Sequence, residues 1–440
     1  MKILFIGVGL TDYTNQILNK LSKEPGIELY NLVDSSGKGH AGDAVHQTKE
    51  GIEFNVVGLK QCLFNIFSYN RYKGFKNFRK TIKKLRPEII IITEVYLPFI
   101  IDNKKNRQLI KDLKIKLIMK DIPFRLHGYQ ETKDKILSGE FDHNYISSFY
   151  LIIERTFKKV RLYKILSHIT QSLGKIKFTR LFKKVMGRRI LLKKLEKKKE
   201  MLNFVDAHVD YVEEAYTLFG SYGVPKEKIF IIYNSPDTDY LFKTRAEIEK
   251  EKPILPINNF RLIHIGRLIE WKRVDLLIKS VKELKVTHPD VELLIIGDGP
   301  EEKKLMKLSG DLELDGAIKF LGGIYDPKLI GHYLLSSSVY VLAGMGGISI
   351  NDAMVFGKPI ICSVCDGTEK KLVYHDYNGL YFKDGDQEDL TRKIKSLLED
   401  PDKVMLMGEN STTIIRDKIN IHTVINGYKK AFRYVLKPNE

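Results

Sequence analysis

Apolar residues along this chain come in short runs closed by glycine or another turn residue, and several of the runs lead into segments where apolar positions recur every three or four residues. The runs 3–6, 88–92 and 116–119 in the first half, and 262–265, 291–296, 318–321, 339–342 and 360–362 in the second, have the length and composition of strands covered on both faces. Residues 13–21 and 77–85 carry helical spacing, as does the segment after Lys272. Strands alternating with helices predict an α/β fold with parallel sheets. The pattern lapses over 244–252, which is mostly charged with only Ala246 and Ile248 to bury; Pro253, Pro256, Asn258 and Asn259 then stop any helix before the next strand. That predicts an N-terminal domain over 1–240, a linker over 241–258 and a C-terminal domain over 259–425. A last helix within 426–440 is expected from the apolar positions of 428–435.

In sheets of this kind ligands bind outside the carboxyl ends of the strands, so the loops that close the runs are where chemistry is expected. Gly266-Arg267-Leu268-Ile269-Glu270-Trp271-Lys272 sets a guanidinium fork and an ammonium at the mouth of a helix, an arrangement that neutralises a diphosphate from two sides. Gly297-Asp298-Gly299-Pro300, Gly322-Gly323 and Gly344-Met345-Gly346-Gly347 close the next three runs, the last leading into Ile348-Ser349-Ile350-Asn351-Asp352. These loops should converge on one crevice. Gly7-Val8-Gly9 closes the first strand, but a dinucleotide fingerprint would need a third glycine where Asp12 stands, which counts against an NAD-dependent oxidoreductase.

In order along roughly 204–400, Asn234-Ser235-Pro236-Asp237, Gly266-Arg267 with Lys272, Gly297-Asp298-Gly299-Pro300, Phe320-Leu321-Gly322, the glycine loop before Asp352-Ala353-Met354, Gly357-Lys358-Pro359 and Asn378-Gly379-Leu380 resemble the family-four retaining glycosyltransferases. The resemblance implies the GT-B fold, two Rossmann-like domains facing a cleft. It also implies a nucleotide diphosphate sugar as co-substrate, with no other cofactor and no bound metal. Arg267 and Lys272 would be the catalytic pair, stabilising the departing diphosphate. Gly7, Gly9, Gly266, Asp298, Gly299, Gly344, Gly346, Gly347 and Asp352 would line the donor site, Asp352 accepting hydrogen bonds from the ribose. One position departs from the pattern. The family usually carries a glutamate where this chain has Gly344, so contacts to the donor sugar would fall to the amides of Gly346 and Gly347. The same departure leaves open a catalytically silent, sugar-nucleotide-binding partner protein. The first two hundred residues match only in layout; there Glu94, Asp121, Arg125 and the loop 34–46 are the acceptor-side candidates.

Charge changes the picture in one place. Lys and Arg number 73 against 55 Asp and Glu, a net +18, and between 155 and 199 the only acid is Glu196. Phe178, Leu181, Phe182 and Val185 repeat at helical spacing there, as do Leu162 and Leu166, predicting basic amphipathic helices; these read either as a solvated helical face or as a dock on an anionic membrane surface beside a lipid-linked acceptor. No zinc-ligand spacing or RNA-recognition signature accompanies the charge, so no nucleic-acid partner is expected. Apolar runs too short for a membrane span or a signal peptide, and an odd set of cysteines (Cys62, Cys362, Cys365), predict a cytoplasmic protein, peripheral on the inner face of the plasma membrane. The pairs Asp237/Asp239 and Asp384/Asp386 read as turn residues rather than metal ligands.

Overall fold

A computed structural model describes residues 1–35, 48–66, 70–121, 126–138, 140, 175–344, 346–364 and 369–437, with side chains for all of these except 64–66, 70–72, 121, 175–187 and 190. Its strands in chain order are β1 (Lys2–Ile6), β2 (Glu28–Asp34), β3 (Asn55–Leu59), β4 (Gln61–Ile66), β5 (Asn70–Phe75), β6 (Ile89–Thr93), β7 (Lys116–Asp121), β8 (Ala207–Asp210) and β9 (Ile229–Ile231), then β10 (Arg261–Ile265), β11 (Glu292–Ile296), β12 (Ile318–Phe320), β13 (Val339–Leu342), β14 (Ile360–Cys362) and β15 (Gly379–Tyr381). They assemble into two large sheets, ordered β3-β2-β1-β6-β7-β8-β9 and β12-β11-β10-β13-β14-β15, with β4 and β5 as a separate antiparallel hairpin.

Both large sheets pair in parallel, Ile3 opposite Ile89 in the first and Ile263 opposite Tyr340 in the second. Their central strands are largely apolar because helices cover both faces: Ile89 to Ile92 and Leu293 to Ile295 are fully buried. In each sheet the chain order reverses beside a central strand, between β1 and β6 and between β10 and β13. Connections leave in opposite directions at such a point, and a crevice opens over the strand ends.

The helix Val274–Leu284 shows why the covering helices form where they do. Val274, Leu277, Ile278, Val281 and Leu284 share one face and enter the core of the second sheet, while its lysines stay outside. The stretch 241–258 is not an open linker from its start, since Thr238–Ile248 is a helix capped by the Asp237 side chain, which accepts from the Tyr240 amide. Leu241, Thr244 and Ile248 repeat along one side and are buried. Counting charges hid them, because a helix needs only one apolar stripe.

Helix Ile421–Leu436 starts before the predicted 426–440 because Asn420 caps it, accepting from Thr423. Val424, Tyr428, Phe432 and Val435 pack with Ile3, Phe5 and Val209, so the end of the chain returns to the core of the first sheet.

By its internal contacts the chain divides into two compact units. One comprises Met1–Arg125, Ala207–Val212 and Phe230–Glu440 and holds both large sheets. The other, Leu126–Asp206 with Glu213–Ile229, is built on the helices Tyr129–Ser138, Lys175–Phe204 and Glu214–Ser221. Within it Tyr129 meets Tyr222 edge to face at 5.5 Å and donates to Glu196, and Lys199 lies 4.9 Å over the Tyr129 ring. Burial pushes the Lys194 ammonium down to about 8. The expected apolar stripe of Leu162, Leu166, Phe178, Leu181, Phe182 and Val185 lies outside the described residues or their side chains, as do Arg125, Cys365 and most of the loop 34–46.

Candidate active site

Where β10 and β13 diverge, backbone bonds sew the loops of the second sheet together. Gly266 N–H donates to Ile296 O at 2.9 Å, Leu268 N–H to Asp298 O at 2.7 Å and Glu301 N–H to Leu268 O at 3.0 Å. Gly297 N–H reaches Gly322 O at 2.8 Å. Gly266, half-buried Arg267, Asp298 and Gly299 therefore sit in one stitched edge. A single helical turn, Glu270–Lys272, then swings Lys272 inward, where it is 6% exposed and its Nζ donates to Gly346 O at 2.8 Å. The ammonium from the β10 loop is thus tied to the glycine loop after β13.

Gly344 fits so tightly that a Cβ there would stand 2.2 Å from Trp271 O and 2.6 Å from Lys272 C. The position has no room for a glutamate while the loop keeps this course. Beyond it the amides of Gly346 and Gly347 donate to no acceptor among the described residues.

The helix Ser349–Val355 is anchored at its first residue by a network that the motifs did not disclose. Ser349 Oγ donates to Ile265 O at 2.8 Å and bonds Tyr340 Oη at 2.8 Å, and Tyr340 Oη also reaches Ile265 O at 3.2 Å. Asn351, fully buried, donates through Nδ2 to Asn234 O at 3.0 Å, while Asn234 Oδ1 accepts from Tyr13 Oη. Asp352 stands between these anchors, and burial pushes its carboxyl up to about 7. Beneath the Gly266 turn, buried His264 bonds Val341 O at 3.0 Å; desolvation holds it down at about 4, so it is neutral at physiological pH. A histidine, a serine and a tyrosine on strands and loop edges carry no spacing that sequence could flag.

The first sheet supplies a different kind of group. The carbonyls of Val8, Gly9 and Leu10 turn back into the protein, where they accept from Thr14 Oγ1 at 3.5 Å, Asn31 Nδ2 at 2.7 Å and Asn15 Nδ2 at 3.5 Å. A trans peptide sets N–H opposite C=O, so the amides of Gly9, Leu10 and Thr11 point the other way, and none donates to a described acceptor. Gly7 and Gly9 adopt φ of 91° and 71°, which the turn needs. Three successive amides thus become a cradle of donors suited to an anion.

Elements of both sheets meet at these edges. Tyr325 Oη donates to Asp298 Oδ2 at 3.3 Å, and burial, then the charges of Asp298 and Asp12, push the Tyr325 phenol up. Asp12 begins the helix that follows the amide cradle. The Asp pairs are committed elsewhere: Asp237 caps a helix and, with Asp239, binds Lys20 at 3.3 and 3.0 Å, and Asp386 caps the helix Gln387–Leu398. Among the described residues no group of three or more His, Cys, Asp and Glu is placed to hold a metal ion, and no helix is long and apolar enough to cross a membrane.

Residues 246–413 match the family described as Glycosyl transferases group 1. Over 180 residues the chain is 32% identical to an uncharacterized glycosyltransferase of Methanocaldococcus jannaschii, covering 40% of this chain and 45% of that protein. It is 25% identical over 220 residues to the N-acetyl-alpha-D-glucosaminyl L-malate synthase of Bacillus anthracis, 49% of this chain and 56% of that one. The chain spans about half the length of the curated relatives it matches. In fold it is similar to HepE of Anabaena, solved in complex with UDP, with a TM-score of 0.60 at 17% identity over 98% of this chain and 99% of that one. The architecture is GT-B, two Rossmann-like domains.

Proposed function

We propose, from a group 1 glycosyltransferase domain at 246–413 carried on a GT-B frame, that this protein transfers a sugar from a nucleotide diphosphate donor with retention of configuration. One observation carries the reading: buried Lys272, the amides of Gly346 and Gly347 that donate to no described acceptor, and Asp352 are gathered where β10 and β13 diverge. As the glycosidic C–O bond breaks, negative charge grows on the diphosphate. Lys272 meets it as a point charge, Arg267 as a bidentate fork, and the amides of Gly9, Leu10 and Thr11 as fixed dipoles, so stabilisation is greatest in the transition state. Asp352 takes the ribose hydroxyls, and the amides of Gly346 and Gly347 take the donor sugar. This charge inventory lets the reaction proceed without a bound metal. UDP in the HepE complex, and similarity to the N-acetyl-alpha-D-glucosaminyl L-malate synthase of Bacillus anthracis, support a nucleotide-sugar donor.

The acceptor in this reading is a lipid-linked glycan at an anionic membrane face. The cationic composition of 155–199 supports that placement. A donor-hydrolysis screen across uridine and guanosine diphosphate sugars, with and without a chelator, tests the reading. Turnover of one donor, indifferent to chelator, is the expected result; turnover that needs a divalent ion refutes the metal-free step. Gly344 favours one alternative, a silent partner that binds donor without turnover, because no carboxylate can stand there. Donor binding with no hydrolysis or transfer by any sugar in the screen would establish it.

A further inference from the structure

One face of the first sheet carries lysines that make no ion pair among the described residues. The helices Phe78–Leu85 and Lys104–Asp112 lead into β6 and β7 by crossovers that run from the β3 side of the sheet toward β9, opposite in direction to the β1–β2 connection. Right-handed crossovers place them on the face opposite the helix Asp12–Ser22. The packing agrees. Helix 12–22 and the last helix share a core with Ile3, Phe5 and Ile118, whereas Phe78 packs edge to face on Phe99 at 5.0 Å. Phe78, Ile82, Leu109 and Ile110 point inward, which leaves the other sides of both helices to solvent.

Those outer sides are basic. Lys80, Lys83, Lys84, Lys104, Lys105 and Lys111 are all exposed, and none makes an ion pair among the described residues. Some cations elsewhere sit against acids, as Lys23 does with Glu53 at 2.6 Å, Lys328 with Glu251 at 2.6 Å and Lys403 with Asp376 at 3.2 Å. Here six gather on two helices, and their mutual repulsion is unfavourable unless an anionic surface meets it. Two large apolar side chains stand exposed on elements that adjoin these helices. Leu63 on β4 is 63% exposed, and Val95, in the turn whose Tyr96 stacks on Phe75, is 56% exposed. Both follow the carboxyl ends of strands, the edge that holds the amide cradle.

We propose that this face is the membrane-docking surface, its lysines reading anionic lipid headgroups and Leu63 and Val95 entering the interface. Like charge excludes a second copy of the same face as the occupant. Among the described residues the two helices expose no aromatic side chain on which a base could stack, which does not suit a nucleic acid. Docking here would bring the strand ends of the first sheet, and the cleft they line, up to a lipid-linked acceptor. The inference rests on the membrane part of the proposed function and relocates its contact from 155–199.

Co-sedimentation of the full chain with phosphatidylcholine vesicles, with and without phosphatidylglycerol, tests it. Wild type should bind only the anionic vesicles, and less as salt rises. Replacing Lys80, Lys83, Lys84, Lys104 and Lys105 with Gln should weaken that binding by roughly a hundredfold. UDP binding, followed by Trp271 emission, and the melting temperature should stay at wild-type values. The matching variant at Lys193, Lys194, Lys197, Lys198 and Lys199 should lose no more than a few fold. If only that second variant releases the protein, this face is not the docking surface while the membrane reading stands. Wild type that binds neither vesicle refutes both.

Discussion

Gly344→Ala probes how closely the β13 loop is pressed on the turn that carries Lys272. A methyl group there would stand 2.2 Å from Trp271 O and 2.8 Å from Lys272 O, while ordinary contact begins near 3.4 Å. Either the loop or the turn must retreat by about 1 Å, and neither neighbour is a side chain that can rotate away. Overpacking of this kind costs about 1–3 kcal/mol. The functional cost follows from the tether. Lys272 Nζ is placed by its bond to Gly346 O, so moving the loop moves the ammonium against the diphosphate, and a displacement of that size costs up to roughly 10²-fold in rate. Melting temperature and turnover of the donor found in the hydrolysis screen are the two readouts, with Trp271, the only tryptophan, reporting on the turn itself. Gly347→Ala is the comparison. Its Cβ would meet no backbone, only the end of the Lys272 side chain at 3.0 Å and Ser349 Oγ at an ordinary 3.8 Å, so its melting temperature should hold. If Gly344→Ala matches wild type in both stability and turnover, the close approach is wrong.

Asp352 should make the protein pH-sensitive. Its folded carboxyl keeps a proton up to about pH 7, well above the unfolded value, so stability without donor should fall as pH rises from about 4 to 7 and then level off. Asp352→Asn should remove that decline in thermal scans. Donor affinity in the wild type should weaken as pH drops below about 7, because the ribose hydroxyls need the ionised form; an unchanged Michaelis constant from pH 5 to 8 would reject the ribose role. Arg267→Ala and Lys272→Ala should each lower turnover roughly 10²-fold or more. Near wild-type turnover in both would displace the pair from the reaction. Asn31→Ala frees the Gly9 carbonyl and should cost about 1–3 kcal/mol of stability. It should also weaken UDP binding in a titration; unaltered binding would show that the amide cradle does not touch the donor.

The sequence by itself determined the class of fold and the loops at which its strands end. Runs such as 89–92 and 293–296 are apolar without alternation, which suits only strands covered on both faces, and glycines at their ends mark where the backbone must turn sharply. A buried parallel strand and a tight loop are local solutions that local composition reports. What stayed hidden depended on partners far along the chain. Asn351 is held by Asn234, Ser349 by Ile265, and the carbonyls of the first glycine loop by Asn15 and Asn31; none of these side chains looks unusual until folding delivers its partner. Counting charges over 244–252 missed the helix Thr238–Ile248, whose apolar stripe is visible only once a core exists to receive it. The tertiary structure alone decided that Gly344 is closed to any side chain, since its neighbours are backbone atoms contributed some seventy residues earlier. It also decided which lysines remain without a counter-charge, because neutralisation depends on distance in space, and a net charge of +18 says nothing of where each acid comes to rest.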